Sequence, residues 1–368
     1  MLDTIGEIPR TRKGRGASVN VANRFERTAL QPFDDGWDSI ADETLAPLPV
    51  ATTLTRDASR TALAYNKSPD LGFDRAVNPY RGCEHGCIYC YARPSHAWLG
   101  LSPGLDFETR LTFKPDVAEQ LERELSKPNY VPRPITLGSN TDPYQPVERT
   151  LGLTRSVLEL LDHYGHPASI VTKSAGVLRD VKLLARMAER GLIRVWLSVT
   201  TLDNDLARRM EPRAASPQRR LAAIAGLREA GVPAGVLAAP MIPGLNDAEL
   251  ERILQSAATA GATYAGYVLL RLPLELQQMF ETWLHQHYPQ RAKHVLNLVR
   301  ETRDGALYDS RFGVRQSGTG PYADLLAQRF AKAVRKHGLS SERERLDCSH
   351  FTKPQRANGM ADRQLALL

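Results

Sequence analysis

Along the first seventy residues apolar and polar positions show no sustained period, and from about residue 75 the pattern changes. Short runs rich in Val, Ile, Leu and Tyr recur at Ala76–Tyr80, Pro134–Gly138, Ser169–Lys173, Arg194–Thr200, Ala234–Met241 and Tyr264–Leu272. Each reads as a buried strand. Between them apolar residues return every three or four positions, as on a helix face. Val117, Leu121 and Leu125 share a face in Pro115–Leu125, and Val157, Leu158, Leu160 and Leu161 do so in Leu153–Tyr164. Val177–Arg190, Pro217–Ala230 and Asp247–Ala260 follow the same period. Asn246-Asp247 marks a helix start, with acidic groups at the positive end of the dipole. Six strand–helix units in succession predict an α/β chain with a parallel sheet and right-handed crossovers. Six are too few for the usual closed eight-stranded barrel. A partial (β/α)6 TIM-like barrel and a doubly wound sheet both fit, and both gather ligands at the C-terminal ends of their strands.

The flanks read differently. Residues 1–70 form an irregular, partly basic N-terminal extension, with a basic glycine-containing run at Arg10–Gly16 and an acidic stretch from Gln31 to Pro49. The barrel is placed at 71–275. A helical C-terminal extension follows at 276–340, clearest at Pro321–His337, and then a charged, loosely ordered tail at 341–368. Hydrophobic residues make up 42% of the 368, enough for a sizeable core, which excludes wholesale disorder. No apolar run is long enough to predict a membrane span. The start Met1-Leu2-Asp3-Thr4 lacks the features of a secretory signal, so the cytoplasm is expected. A net charge of +7 permits a nucleic-acid partner through phosphate contacts without demanding one.

Of four cysteines, Cys83, Cys87 and Cys90 fall within eight residues, in Arg81-Gly82-Cys83-Glu84-His85-Gly86-Cys87-Ile88-Tyr89-Cys90-Tyr91. A disulfide framework would spread them along the chain. Thiolates suit iron–sulfur clusters and zinc. Three on one loop can hold three corners of a cubane and leave the fourth iron open, whereas ferredoxin clusters use four. Gly82 and Gly86 would let the backbone wrap closely around the cluster. A structural zinc site, completed by His85 or a distant histidine, remains an alternative, although the second cysteine pair usual in such sites is missing.

The spacing C-x3-C-x-aromatic-C, with Tyr89 as the aromatic, resembles the signature of the radical S-adenosylmethionine (SAM) enzymes, and the resemblance extends over about residues 75–272. It implies a partial barrel of the radical SAM type with a 4Fe–4S cluster at its mouth and SAM on the free iron. Reductive cleavage of SAM to a 5′-deoxyadenosyl radical would use an electron donor of flavodoxin or ferredoxin type. The runs Asn78–Cys83 and Gly138–Glu148 resemble the branch that contains spore photoproduct lyase, whose members are called DNA repair photolyases. That implies a nucleic acid or nucleotide substrate and lyase chemistry. A peptide or small metabolite is the competing substrate class, and a nucleic-acid-binding protein with a purely structural metal is the competing reading of the whole chain.

By the same resemblance, Cys83, Cys87, Cys90 and Tyr91 carry the catalysis. Lys173 pairs with the SAM carboxylate, and Tyr89, Ser139, Asn140 and Asp142 line the cofactor site. Ser198 and Thr200 reach the ribose hydroxyls, while Ile242 packs on adenine. Arg271, at the end of the sixth predicted strand, reads as an anion contact or a structural ion pair. The branch has a cysteine in the barrel that returns hydrogen to the product radical, but this chain has none between Tyr91 and Asp347. Tyr89, Tyr91, Tyr144, Tyr267, a substrate-derived hydrogen or a folded-back Cys348 are the substitutes it leaves.

Overall fold

The computed structural model describes residues 12–26, 51–342 and 345–354. The acidic stretch Gln31–Pro49 and the last part of the tail lie outside them.

Ten strands are present among the described residues: β1 (Thr53–Arg56), β2 (Leu63–Tyr65), β3 (Arg75–Val77), β4 (Tyr80–Arg81), β5 (Arg110–Phe113), β6 (Ile135–Leu137), β7 (Ala168–Thr172), β8 (Ile193–Ser198), β9 (Ala234–Met241) and β10 (Tyr264–Leu269). Strands β3, β6, β7, β8, β9 and β10 pair in parallel, each with the next in sequence, and β2 adds antiparallel to β3. That order decides between the two predicted architectures. A doubly wound sheet reverses direction at a switch point. Here successive crossovers proceed one way, which lays the helices on one face and curls the sheet. No pairing joins β10 to β2 or β3, so the barrel stays open.

The central strands are buried on both faces, as in any parallel sheet flanked by helices. Helices Val117–Leu125, Leu153–His163, Val181–Ala188, Pro217–Glu229 and Leu250–Thr259 form the outer layer. Their buried residues fall at helical spacing; Leu153, Val157, Leu158 and Leu161 face inward in the second. Helix Gly320–Lys336 packs beside Leu250–Thr259 and sets Phe330 4.7 Å from Tyr267 of β10.

Three features depart from expectation. The stretch before residue 70 supplies β1 and β2, and β1 joins β5 and β4 in a second, three-stranded sheet. The last parallel strand stops at Leu269, so Arg271 stands beyond it. The tail residues 345–354 are tied under the N-terminal ends of the strands. Asp347 N–H donates to Gly191 O (3.1 Å) and Thr352 N–H to Tyr164 O (2.8 Å), while Phe351 packs on Tyr130 and His166. Cys348 is thereby held at the end of the barrel opposite the loop that carries the other cysteines.

Candidate functional site at the cysteine loop

The loop from Gly82 to Thr109 is closed at its base by the antiparallel pair β4–β5, with Tyr80 opposite Phe113 and Arg81 opposite Thr112. Cys83 N–H donates to Phe107 O (2.9 Å) and Cys90 N–H to Cys87 O (3.2 Å). The fully buried Arg93 spans the loop, donating to Cys87 O (2.8 Å) and Gly104 O (2.9 Å) and pairing with the equally buried Glu108 (2.5 Å). Glu108 also accepts the Gly16 and Ala17 amides (3.0 and 2.8 Å), which binds an N-terminal arm, residues 12–26, to the loop.

The two glycines are also needed by the loop's own packing. Both have positive φ, 79° at Gly82 and 69° at Gly86. A Cβ at Gly82 would stand 2.8 Å from Phe107 O, and one at Gly86 2.8 Å from the Glu108 carboxylate. They are required by the loop's own packing on residues 107 and 108.

Cys83 and Cys87 are buried, and Cys90 is half-buried. Burial drives the Cys83 thiol well up, with Asp142 and the other two thiols adding to it. Burial raises Cys87 as well, opposed first by the Lys173 ammonium. Thiolates placed here need a cationic partner, which a metal core supplies. Among the described residues no three His, Cys, Asp or Glu side chains are grouped closely enough for a single metal ion. The donor set, three soft thiols on one clamped loop, fits an iron–sulfur core and does not by itself exclude zinc.

The other predicted residues gather around this loop. Lys173, at the end of β7, places its ammonium 5.7 Å from the Tyr89 ring centre. Tyr91 is 47% exposed at the mouth; its hydroxyl donates to Ser139 O, and the Arg271 guanidinium stands 5.2 Å from its ring centre. Ser139 Oγ and the Asn140 amide both engage the Asn78 side chain (3.1 Å each). Ile242 is buried in one apolar cluster with Cys87 and Tyr89.

Other predicted groups are engaged inside the protein. Asp142 accepts from Thr172 Oγ1 (2.7 Å), the Lys173 amide (2.7 Å) and the Tyr144 amide (2.9 Å), and stands 3.3 Å from His85 Nδ1. Burial alone would raise its carboxyl; His85 and these donors hold it at about 2. Ser198 Oγ donates to Ala239 O (3.0 Å). Thr200 Oγ1 lies 2.6 Å from Glu211 Oε1 and 3.1 Å from Ala239 O. Tyr144 donates to Asp180 (2.9 Å).

Several residues to which the sequence assigned no role in the site complete the mouth. The Tyr89 hydroxyl donates to buried Glu211, whose carboxyl is raised by burial, an effect its partner Arg220 only partly offsets. Arg220 also donates to Ser198 O (2.9 Å), at the end of β8. Asn246, at the predicted helix start, leaves that helix uncapped. Its amide instead donates to Thr200 O (2.7 Å) and Pro240 O (2.9 Å) and accepts from the Ile242 amide (2.6 Å). Gln145 accepts the Glu84 amide (2.8 Å). In the sequence Asn246 marked a helix start and Gln145 lay within the run Gly138–Glu148, whereas nothing set Glu211 or Arg220 apart.

Comparison with known proteins agrees with this geometry. The family model described as the radical SAM superfamily matches residues 77–257. An uncharacterised protein of Mycobacterium tuberculosis is 35% identical over 284 residues, 76% of this chain and 80% of its own. One of Methanocaldococcus jannaschii is 29% identical over 61% of this chain and 81% of its own. Spore photoproduct lyase complexed with dinucleoside spore photoproduct shares the fold, with a TM-score of 0.53 at 17% identity over 78% of this chain and 80% of that one. With the matched region running from the first parallel strand through the cysteine loop to the fifth, the chain belongs to the radical SAM superfamily.

Proposed function

We propose that Cys83, Cys87 and Cys90 hold a 4Fe–4S cluster by three irons, and that the protein cleaves SAM reductively to act on a nucleic acid or nucleotide, as a lyase of the spore photoproduct lyase kind. The observation that carries this reading is the set of three thiols on one clamped loop, facing a lysine, at the C-terminal ends of parallel strands. When bound and reduced by a flavodoxin- or ferredoxin-like donor, the cluster supplies the electron that splits SAM into methionine and the 5′-deoxyadenosyl radical.

The chain's own residues hold and shield the cofactor. Lys173 provides the positive charge for the SAM carboxylate, Tyr89 and Ile242 an apolar wall for adenine, and Ser139 and Asn140 polar contacts on the β6 side. Asp142, Ser198 and Thr200 act as positioning residues, because their side chains already tie the ends of β7, β8 and β9 together. Tyr91 is the proposed hydrogen-atom donor: it is the half-exposed tyrosine at the mouth, whereas Cys348 lies at the far end of the barrel. The nucleic-acid reading is supported by the fold shared with spore photoproduct lyase and by the net charge of +7.

Anaerobic reconstitution tests the proposal. About four irons per chain and release of 5′-deoxyadenosine with SAM and dithionite are expected, both lost in Cys83→Ala, Cys87→Ala or Cys90→Ala. Colourless protein with one zinc, or full cleavage by any of these variants, overturns it.

A further inference from the structure

The arm of residues 12–26 runs along the helix Leu276–His287. Ser18 Oγ is 3.2 Å from Gln286 Oε1 near one end, and Arg24 pairs with Glu275 (3.0 Å) just before the other. At the His287 end, the arm and the helix Asn204–Met210 enclose a cavity of about 430 Å³. Arg12, Lys13, Arg15, Arg208, Arg209 and His287 line it, and its one carboxylate, Asp205, is already paired with Arg208. At the Glu275 end stands an aromatic pair. Trp98 is 73% exposed and Phe25 48%, their ring centres are 4.7 Å apart, and the Arg24 guanidinium is 4.7 Å from the Phe25 ring centre and 5.5 Å from that of Trp98. The 12-residue helix between the two features is about 18 Å long.

Each feature asks for part of the same ligand. A concave cluster of arginines and a lysine suits phosphate oxygens, for which Arg offers a two-pronged donor. An exposed tryptophan flanked by a phenylalanine and a guanidinium suits the π-face of any base. At about 3.4 Å per phosphate, about 18 Å corresponds to roughly five nucleotides of stacked strand. An acidic protein would account for the charge but leaves the aromatic pair without a purpose, and a folded surface would not enter the cavity. Both walls touch the cysteine loop: Gly16 packs against Gly86, and Met210 O accepts the Ile88 amide (3.0 Å).

We propose that this face is a track for single-stranded nucleic acid, with backbone phosphates in the arginine-lined cavity and a base on the Trp98–Phe25 pair. The inference rests on the nucleic-acid reading of the substrate and adds how the strand is held outside the barrel mouth. It is tested with full-length protein and a fluorescein-labelled twenty-nucleotide oligothymidylate, by anisotropy over a range of salt. The Lys13→Gln/Arg209→Gln variant is expected to lower the slope of log affinity against log salt by about 1.4, at 0.7 per phosphate contact. Trp98→Ala is expected to weaken binding about tenfold at every salt concentration. Thermal unfolding checks that both variants remain folded. If the wild type binds the strand and both variants match it in affinity and slope, the track is refuted and the nucleic-acid substrate survives. If the wild type binds neither oligothymidylate nor its RNA or duplex counterparts, both readings fall. If the variants lose only the binding of an acidic flavodoxin, the face belongs to the electron donor and the inference is overturned.

Discussion

Replacing Glu108 with alanine should dislodge the N-terminal arm and destabilise the whole cysteine loop. The carboxylate is fully buried, pairs with a fully buried Arg93 and accepts two arm amides. Removing one partner of a buried ion pair costs about 3–5 kcal/mol, because the other charge is left uncompensated. Arg93 keeps its bonds to Cys87 O, Pro103 O and Gly104 O, which places the loss at the lower end, about 3 kcal/mol, or a factor on the order of 100 in the folded-to-unfolded ratio. The freed Gly16 and Ala17 amides can reach water only if the arm lifts. Hydrogen exchange across residues 12–26 should therefore accelerate far more than exchange in β6–β9. Urea unfolding of the metal-free protein measures the first effect, and exchange read by mass spectrometry the second. The double variant Arg93→Met/Glu108→Leu should recover most of the stability, since apolar replacements of a buried pair are often neutral, but not the protection of the arm. A loss below about 1 kcal/mol, or an arm as protected in Glu108→Ala as in the wild type, would refute the reasoning.

Three further outcomes follow from other contacts. Gly16→Ala would place a Cβ 1.7 Å from Gly86 O; a cost of about 1–3 kcal/mol and reduced iron loading are expected, and wild-type loading would show that the arm does not support the loop. Lys173→Ala should weaken SAM binding about tenfold, near 1.4 kcal/mol, with iron content unchanged; equal affinity in an equilibrium assay removes the residue from the site. His166 is buried with Nδ1 on Pro167 O (3.0 Å) and Nε2 on the Tyr130 hydroxyl (2.7 Å), and burial lowers it from 6.5 to about 4. The unfolded chain takes up that proton first, so this contribution is complete above about pH 6.5 and falls away towards pH 4 by up to about 3 kcal/mol. A His166→Gln variant should show a shallower loss of stability over that interval, and an identical pH profile would disprove the assignment.

The parallel strands were legible because each is buried on both faces, which writes an unbroken apolar run into the sequence. The smaller sheet was not. β4 has two residues, and β1 is Thr-Leu-Thr-Arg with all four side chains exposed; their pairing is set by backbone hydrogen bonds, which leave no apolar pattern. The arm was hidden for the same reason, since Gly16 and Ala17 attach through their amides. The cysteine spacing exposed the loop, and the family resemblance pointed to Lys173 and Ser139, which stand beside its tyrosines. The carboxylates and guanidinia that hold the loop in place were illegible: Arg93, Glu108, Glu211 and Arg220 are 2% exposed or less, yet each belongs to a residue type expected at the surface.

That concealment has a physical basis. The loop's buried apolar residues do not join the barrel's main core. Cys83, Ala92 and Phe107 form a small cluster of their own, while Cys87, Ile88 and Tyr89 pack with Leu276, Phe280, Trp283 and Val295 of the C-terminal helices. With the loop divided between these clusters and Cys83 in the small one, packing alone, which is tolerant of small displacements, does not fix its shape. Buried ion pairs and charge-assisted bonds are directional, and each fails once its geometry is lost. If the three thiols hold the proposed cluster, the defined spacing they must present is better kept by such bonds than by apolar contact, even where the pairs themselves add little net stability. On this argument the C-terminal helices and the arm belong to the cysteine loop as much as the barrel does: the strands set where the loop stands, and the elements outside the barrel set its shape.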